Sequence, residues 1–208
     1  MKRGVAVIVM LLVAAACAVG QGTGVSFTWA FVKQGPDGRP VPVDFSEKVA
    51  VAKGDLFKIF LRPSAGTFVY LFLQDAQGEL TVLYPESWDV LDGGAYAKTR
   101  TFIPPGDDWF TLDAARGTEH VHLLASSTRL AALEAKVTAW RKSPGPAARQ
   151  AVLDEIARVR KAHSQVAMGA EKPVTIAGGT RAIGNEMEKE AVRIDAKEFY
   201  TRTFRLEH

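Results

Sequence analysis

The chain has 208 residues, 47% of them apolar, with 26 basic and 23 acidic side chains and a single cysteine. That length supports one domain with a sizeable buried interior, and one cysteine excludes an intramolecular disulfide. Without Lys2 and Arg3, the 24 remaining basic residues stand against 23 acidic ones, a balance that excludes the electrostatic footprint of a nucleic-acid binder.

The N-terminus reads as a targeting peptide over residues 1–17. Lys2 and Arg3 precede an apolar run, Val5 to Val19, which is shorter than the roughly eighteen residues needed to span a membrane. A basic start, an apolar middle and small residues after it describe a secretory signal. Two cleavage readings stay open. Val13-Ala14-Ala15-Ala16-Cys17 is similar to the lipoprotein signal of bacteria, in which the cysteine is lipidated and becomes the N-terminus, although Ala14 stands where such signals usually carry leucine. Ordinary cleavage after Ala18-Val19-Gly20 would instead discard Cys17. The lipoprotein reading implies export to the periplasm and an outer-membrane anchor through Cys17, since no aspartate follows the cysteine. Residues 18–24 form a Gly-rich tether.

From residue 25 onward, strand patterns dominate. Val25, Phe27, Trp29 and Phe31 alternate with Ser26, Thr28 and Ala30, the period of a half-buried strand. Pro40 to Val43 is extended or an edge, because proline donates nothing to a ladder. Leu56 to Leu61 is a strand ended by Pro63. Thr67 to Leu73 is apolar on both faces, which predicts the centre of a sheet covered on both sides. Asp75 to Gly78 turns it into a strand over Glu79 to Tyr84. Thr99 to Ile103, Trp109 to Leu112 and Glu119 to Ser126 add further strands. Short strands separated by Gly, Pro and Asp turns predict a sandwich or barrel rather than βαβ units.

Composition changes after Ser127. Leu130, Leu133, Val137 and Trp140 lie on one helical stripe, as do Ala148, Val152, Ile156 and Val159, with Ser143 to Pro146 breaking the helix between them. Ser127 or Thr128 suits the N-cap of the first helix. Val174 to Ala177 suggests a strand, Asn185 to Glu190 is too charged for a core, and Phe199 to Leu206 alternates as a closing strand. The expectation is a mainly β fold over residues 25–208: an antiparallel β-sandwich, immunoglobulin-like in general architecture. An α-helical hairpin at about 129–163 is inserted before the last strand.

Gly54-Asp55, Ile59-Phe60-Leu61-Arg62-Pro63, Val69-Tyr70-Leu71-Phe72, Asp75, Gly78, Leu83-Tyr84-Pro85, Ile103-Pro104, Gly117-Thr118-Glu119 and Ala125-Ser126 occur in this order. Together they resemble the bacterial family called domain of unknown function 4384, over residues 50–128. The resemblance implies a β-sandwich accessory domain, often exported or attached behind other modules, with no established catalytic residues. The helical hairpin and the segment up to the last strand depart from it. The motif residues also suit structure: Gly54 and Gly78 permit turns, Pro63 and Pro85 end strands, and Tyr70 fits a core with its hydroxyl at an edge.

Candidate chemistry is sparse. His120 and His122 share one face of a strand, as two imidazoles on one metal ion must, but no third ligand is near in sequence. Ser126 and Ser127 lack a nucleophile-elbow motif, and Gly93-Gly94 and Gly178-Gly179 lack the lysine of a phosphate loop. Trp88, with Glu86 and Asp89, and Trp109, with Asp107 and Asp108, could hold a sugar ring; each could equally fold back over the sandwich. Three readings follow. The first is a non-catalytic envelope protein that binds a partner protein, touches the membrane only through its lipid and uses no cofactor, with the hairpin or an edge strand as its surface. The second is a glycan-binding module on Trp88 and Trp109. The third is a metal-dependent hydrolase around His120 and His122.

Overall fold

The computed structural model describes residues 24–46, 48–92, 99–112, 116–164, 170–173 and 183–207. The targeting peptide with Cys17, most of the tether and the strand expected over Val174 to Ala177 lie outside the described residues.

Among the described residues, eleven strands form two facing sheets. The first sheet runs β7 (Thr101–Ile103), β4 (Phe57–Pro63), β1 (Val25–Gln34), β10 (Val192–Ala196), β9 (Ala170–Pro173), with β2 (Pro40–Pro42) paired to the far end of β1. The second runs β3 (Val49–Ala50), β11 (Phe199–Glu207), β8 (Thr118–Ser126), β5 (Phe68–Gln74), β6 (Leu80–Tyr84). Every pairing is antiparallel except the short one between β3 and β11. The mainly β sandwich is therefore as expected. One position differs: β8, not the β5 strand, is central to its sheet.

Strand alternation builds the interior. The odd residues Phe27, Trp29 and Phe31 of β1 face the second sheet, where Phe27 meets Tyr200 edge-on at 5.6 Å and Trp29 meets Phe204 at 4.6 Å. Such aromatic pairs add about 0.5–1.5 kcal/mol each to the area they bury. β5 is buried on both faces, and Phe72 and Val69 are both fully covered. Its turn is held by Asp75, whose side chain accepts from the Gln77 and Glu79 amides, and by Gly78 at φ +82°, where an L side chain is strained. At Gly117 a Cβ would meet the Ala76 Cβ at 2.7 Å, so that approach of chain to turn requires glycine.

The helical hairpin forms as α1 (Ala131–Lys142) and α2 (Pro146–Ala162), with Pro146 in the first turn as its fixed φ favours. Leu133, Val137, Val152, Ile156 and Val159 are buried in one cluster with the strands of the second sheet. The hairpin thus covers that sheet's outer face.

Three expectations fail. Trp109 to Leu112 is no strand but a single bridge, Phe57 to Phe110. The α1 N-cap is Leu130, without a side-chain cap bond, rather than Ser127 or Thr128. The charged stretch after Asn185 belongs to α3 (Ile183–Lys189), whose Met187 and Glu188 are buried against the outer face of β1. Met187, Ala191, Ala30, Val32 and Phe60 form a second, smaller core there. The helical hairpin precedes the final strands, β9, β10 and β11.

Candidate functional site

Tyr70 is fully buried under the helical hairpin on the second sheet's outer face. Its hydroxyl, expected at an edge, is fully buried and donates to Glu134 Oε1 at 2.5 Å, while accepting from the Leu130 amide at 2.9 Å. This contact serves an otherwise orphaned amide at the start of α1. Arg129 grips the same carboxylate with Nε and Nη2, both at 2.6 Å, and reaches Asp92 with Nη1. Burial pushes the Glu134 carboxyl up, but the Arg129 and Tyr70 hydrogen bonds outweigh it and hold the group below its ordinary value. Burial and the adjacent carboxylate push the Tyr70 hydroxyl above its ordinary range. The knot fastens the start of α1 to β5.

Trp88 extends the knot. It lies in a 3-10 turn (Trp88–Leu91), donates from Nε1 to Thr138 at 2.9 Å and carries Arg141 over its ring at 5.5 Å. Trp109 sits on the opposite outer face, packed on the second core with Lys58 above its ring at 5.8 Å. The structure therefore does not bring the two tryptophans together; each is folded back under a cation. Asp107 and Asp108 are exposed. It is the Asp108 carbonyl, not its carboxylate, that meets Lys58.

Lys58 is 1% exposed. Its ammonium donates to the Gly106 and Asp108 carbonyls at 2.6 and 2.5 Å. Burial lowers its pKa, more than Asp107 and Asp108 raise it. The same face holds Glu188, paired with both Arg62 and Arg100.

His120 and His122 do project from one face, their rings parallel with centroids 6.1 Å apart. Arg205 is the cross-strand partner of His120, and Thr203, at 3.1 Å from Nδ1, is that of His122. Burial, then His120 and Arg160, lower the His122 pKa to about 4; burial and Arg205 lower that of His120. Both imidazoles are neutral at pH 7, as metal ligands must be. Among the described residues, however, no three His, Cys, Asp or Glu side chains gather as a metal site.

A hollow of about 560 Å³ is bounded by Lys33 to Pro36, β2, β3 and Phe57, and two more lie along the sandwich edge beside Phe45. Phe45 plugs this edge against Phe31 and Phe204. One hollow, about 430 Å³, is lined by Phe45, Ser46, Lys48, Arg205, Glu207 and their β11 neighbours, Arg202 among them. Asp44 lies in an adjoining hollow; the Ser46 amide and hydroxyl, then Arg202, hold its carboxyl below the ordinary value. Among the described residues, β3 pairs with Leu206 and Glu207 of β11, beside this hollow.

Sequence reasoning missed the Arg129–Glu134–Tyr70 knot, Lys58 and the edge hollow. Signals existed for two. Glu134 adjoins the apolar stripe of α1, and Lys58 interrupts the apolar run Leu56 to Leu61.

Residues 50–129 match the family model described as Domain of unknown function (DUF4384). No curated protein and no solved structure matches the chain. The DUF4384 segment supplies β4 to β8, and hence strands to both sheets. Its β4 and β8 are completed by β1 and β11, which lie outside it. The Tyr70 of the DUF4384 segment is likewise fastened to Glu134 beyond it.

Proposed function

We propose that this protein is a non-catalytic, exported β-sandwich of the cell envelope, lipid-anchored through Cys17, that acts by binding a partner protein. The observation that carries the binding reading is the hollow at the sandwich edge. It is the place where exposed cations, aromatic rings and the pairing of β3 with β11 adjoin. The buried charges contrast with it: Glu134, Glu155, Glu188 and Lys58 are each engaged in contacts that fasten one element to another or brace a helix. The helical hairpin, the other surface considered for a partner, spends its apolar stripe on the second sheet. Export and lipidation rest on the basic start, the apolar run and the position of Cys17.

Two measurements test the reading. Intact mass spectrometry of the mature chain should find a diacylated or triacylated Cys17 as the N-terminus; a chain beginning at Gln21 would remove the anchor. A photoreactive residue placed at Ser46 should give a discrete protein adduct in the cells that make the chain. Absence of adducts from Ser46 and from the helical hairpin alike would end the partner-binding reading.

A further inference from the structure

We propose that the outer face of the second sheet binds a small oxyanion, a phosphate or a phosphate monoester, over His120 and His122 beside the end of α2. This goes beyond the partner-binding reading and does not rest on it. Alternate residues of a strand share a face. His120 and His122 of β8 therefore stand beside their cross-strand partners Arg205 and Thr203 of β11, and Thr201 follows on the same face. The last turn of α2 is seated there by His163, whose ring stacks on Phe199 at 4.1 Å. Arg160 thereby comes within electrostatic range of His122, as Arg205 is of His120. With the two imidazoles 6.1 Å apart, the four groups form one row: Arg205, His120, His122, Arg160.

Two observations mark the row as unfinished. His122 Nε2 and Thr201 Oγ1 are buried without a hydrogen-bond partner among the described residues, whereas buried polar atoms are nearly always paired. Arg160 and Arg205 make no hydrogen bond or ion pair among the described residues. Charge selects the occupant. Cations at both ends of the row repel a metal ion, which two imidazoles would otherwise suit. With Thr203 Oγ1, 3.1 Å away, donating to Nδ1, the His122 proton sits on Nε2, the atom that lacks an acceptor. The neighbouring carboxylates are engaged or turned away. Glu207, on the face of Arg205, is paired with Lys48 at 3.2 Å; Glu79 is paired with Arg149; Glu119 leaves β8 on the opposite face. At the negative end of α2, the Val159 and Lys161 carbonyls accept from His163 and Ser164. Arg205 is exposed, His120 half-buried and His122 only 9% exposed. The row thus leads inward from the surface and admits a small group.

The probes are inorganic phosphate, glycerol phosphate, and phosphatidylcholine vesicles carrying phosphatidylglycerol, each added to the intact folded chain. Titration calorimetry should give one saturable site for the soluble phosphates, weakening with salt. The imidazole resonances of His120 and His122 should move with the same midpoint. Arg205→Gln and Arg160→Gln should each weaken binding at least tenfold, while Lys53→Gln, an exposed cation elsewhere, should leave it unchanged. Arg205 is exposed, so an unchanged thermal melt lets that variant decide alone if Arg160→Gln unfolds. Vesicle binding in addition to soluble phosphate, and lost in the same variants, would name a lipid headgroup as the source. No saturable binding of either soluble phosphate, full affinity in Arg205→Gln, or vesicle binding alone would overturn the proposal. So would zinc shifting the two rings while phosphate leaves them unmoved. None of these outcomes bears on the adduct expected from Ser46.

Discussion

On the outer face of the second sheet, Glu134 lies under α1 with its carboxylate met by the side chains of Arg129 and Tyr70. On the outer face of the first, Lys58 lies under the turn at 104–109 with its ammonium met by two backbone carbonyls. Both charges are nearly removed from water, at 8% and 1% exposure. The partners differ in kind. Glu134 is neutralised by a cation that a mutation can delete, whereas Lys58 is solvated by a loop conformation. The first arrangement fastens a helix to a sheet; the second makes the shape of a loop depend on one side chain.

The comparison breaks most sharply at Arg129. Arg129→Met leaves a buried carboxylate without its cation and should cost about 3–5 kcal/mol in urea unfolding. Glu134→Gln added to it should recover much of that loss, because the uncompensated charge is gone; simple additivity would show the two groups to be uncoupled.

A third buried group on the same face, His122, extends the comparison by being neutral. Its pKa is about 4 when folded against 6.5 ordinarily, so the unfolded chain binds the extra proton. Stability should therefore fall by about 3 kcal/mol as pH drops from 6.5 to 4. His122→Asn should flatten that window. The Glu134 contribution has a lower window: its folded pKa is depressed, so its stabilisation is intact above the unfolded value of 4.5 and is lost as pH falls through the folded one. A pH-stability profile that keeps its slope between 6.5 and 4 in the variant would assign the effect elsewhere.

On the other face, Lys58→Met keeps the length of the side chain and removes two charge-assisted hydrogen bonds, at a cost of about 2 kcal/mol. Amide exchange should quicken at 104–110 and stay unchanged in α1. The smallest effect belongs to Trp88→Phe, which loses the bond to Thr138 and should cost about 1 kcal/mol. Thr138→Val combined with it should add little, since the two changes break one contact.

The strands were largely legible because their alternation is local: Phe27, Trp29 and Phe31 announce an inner face without reference to any partner. The outer faces were not. Ala30 and Val32 look like the solvent side of β1 until α3 is laid over them, and α3 hides its one buried methionine among charged residues. Trp109 to Leu112 has the composition of a strand, yet β7 already occupies the β4 edge at Ile59 to Leu61, leaving only Phe57 for Phe110. The candidate tryptophans were correctly seen beside acids, but spacing says nothing about which face a loop falls on, and theirs are opposite.

Local periodicity alone determined that this chain makes a mainly β domain with an amphipathic helical pair, because the repeat of two or of 3.6 residues is set by backbone geometry. Which buried charges are matched, and where Phe45 seats, depended on side chains brought together from distant positions: Tyr70 to Glu134, Lys58 to Gly106, Phe45 to Phe204. Desolvation and hydrogen bonding act through space, so only the tertiary structure could decide them.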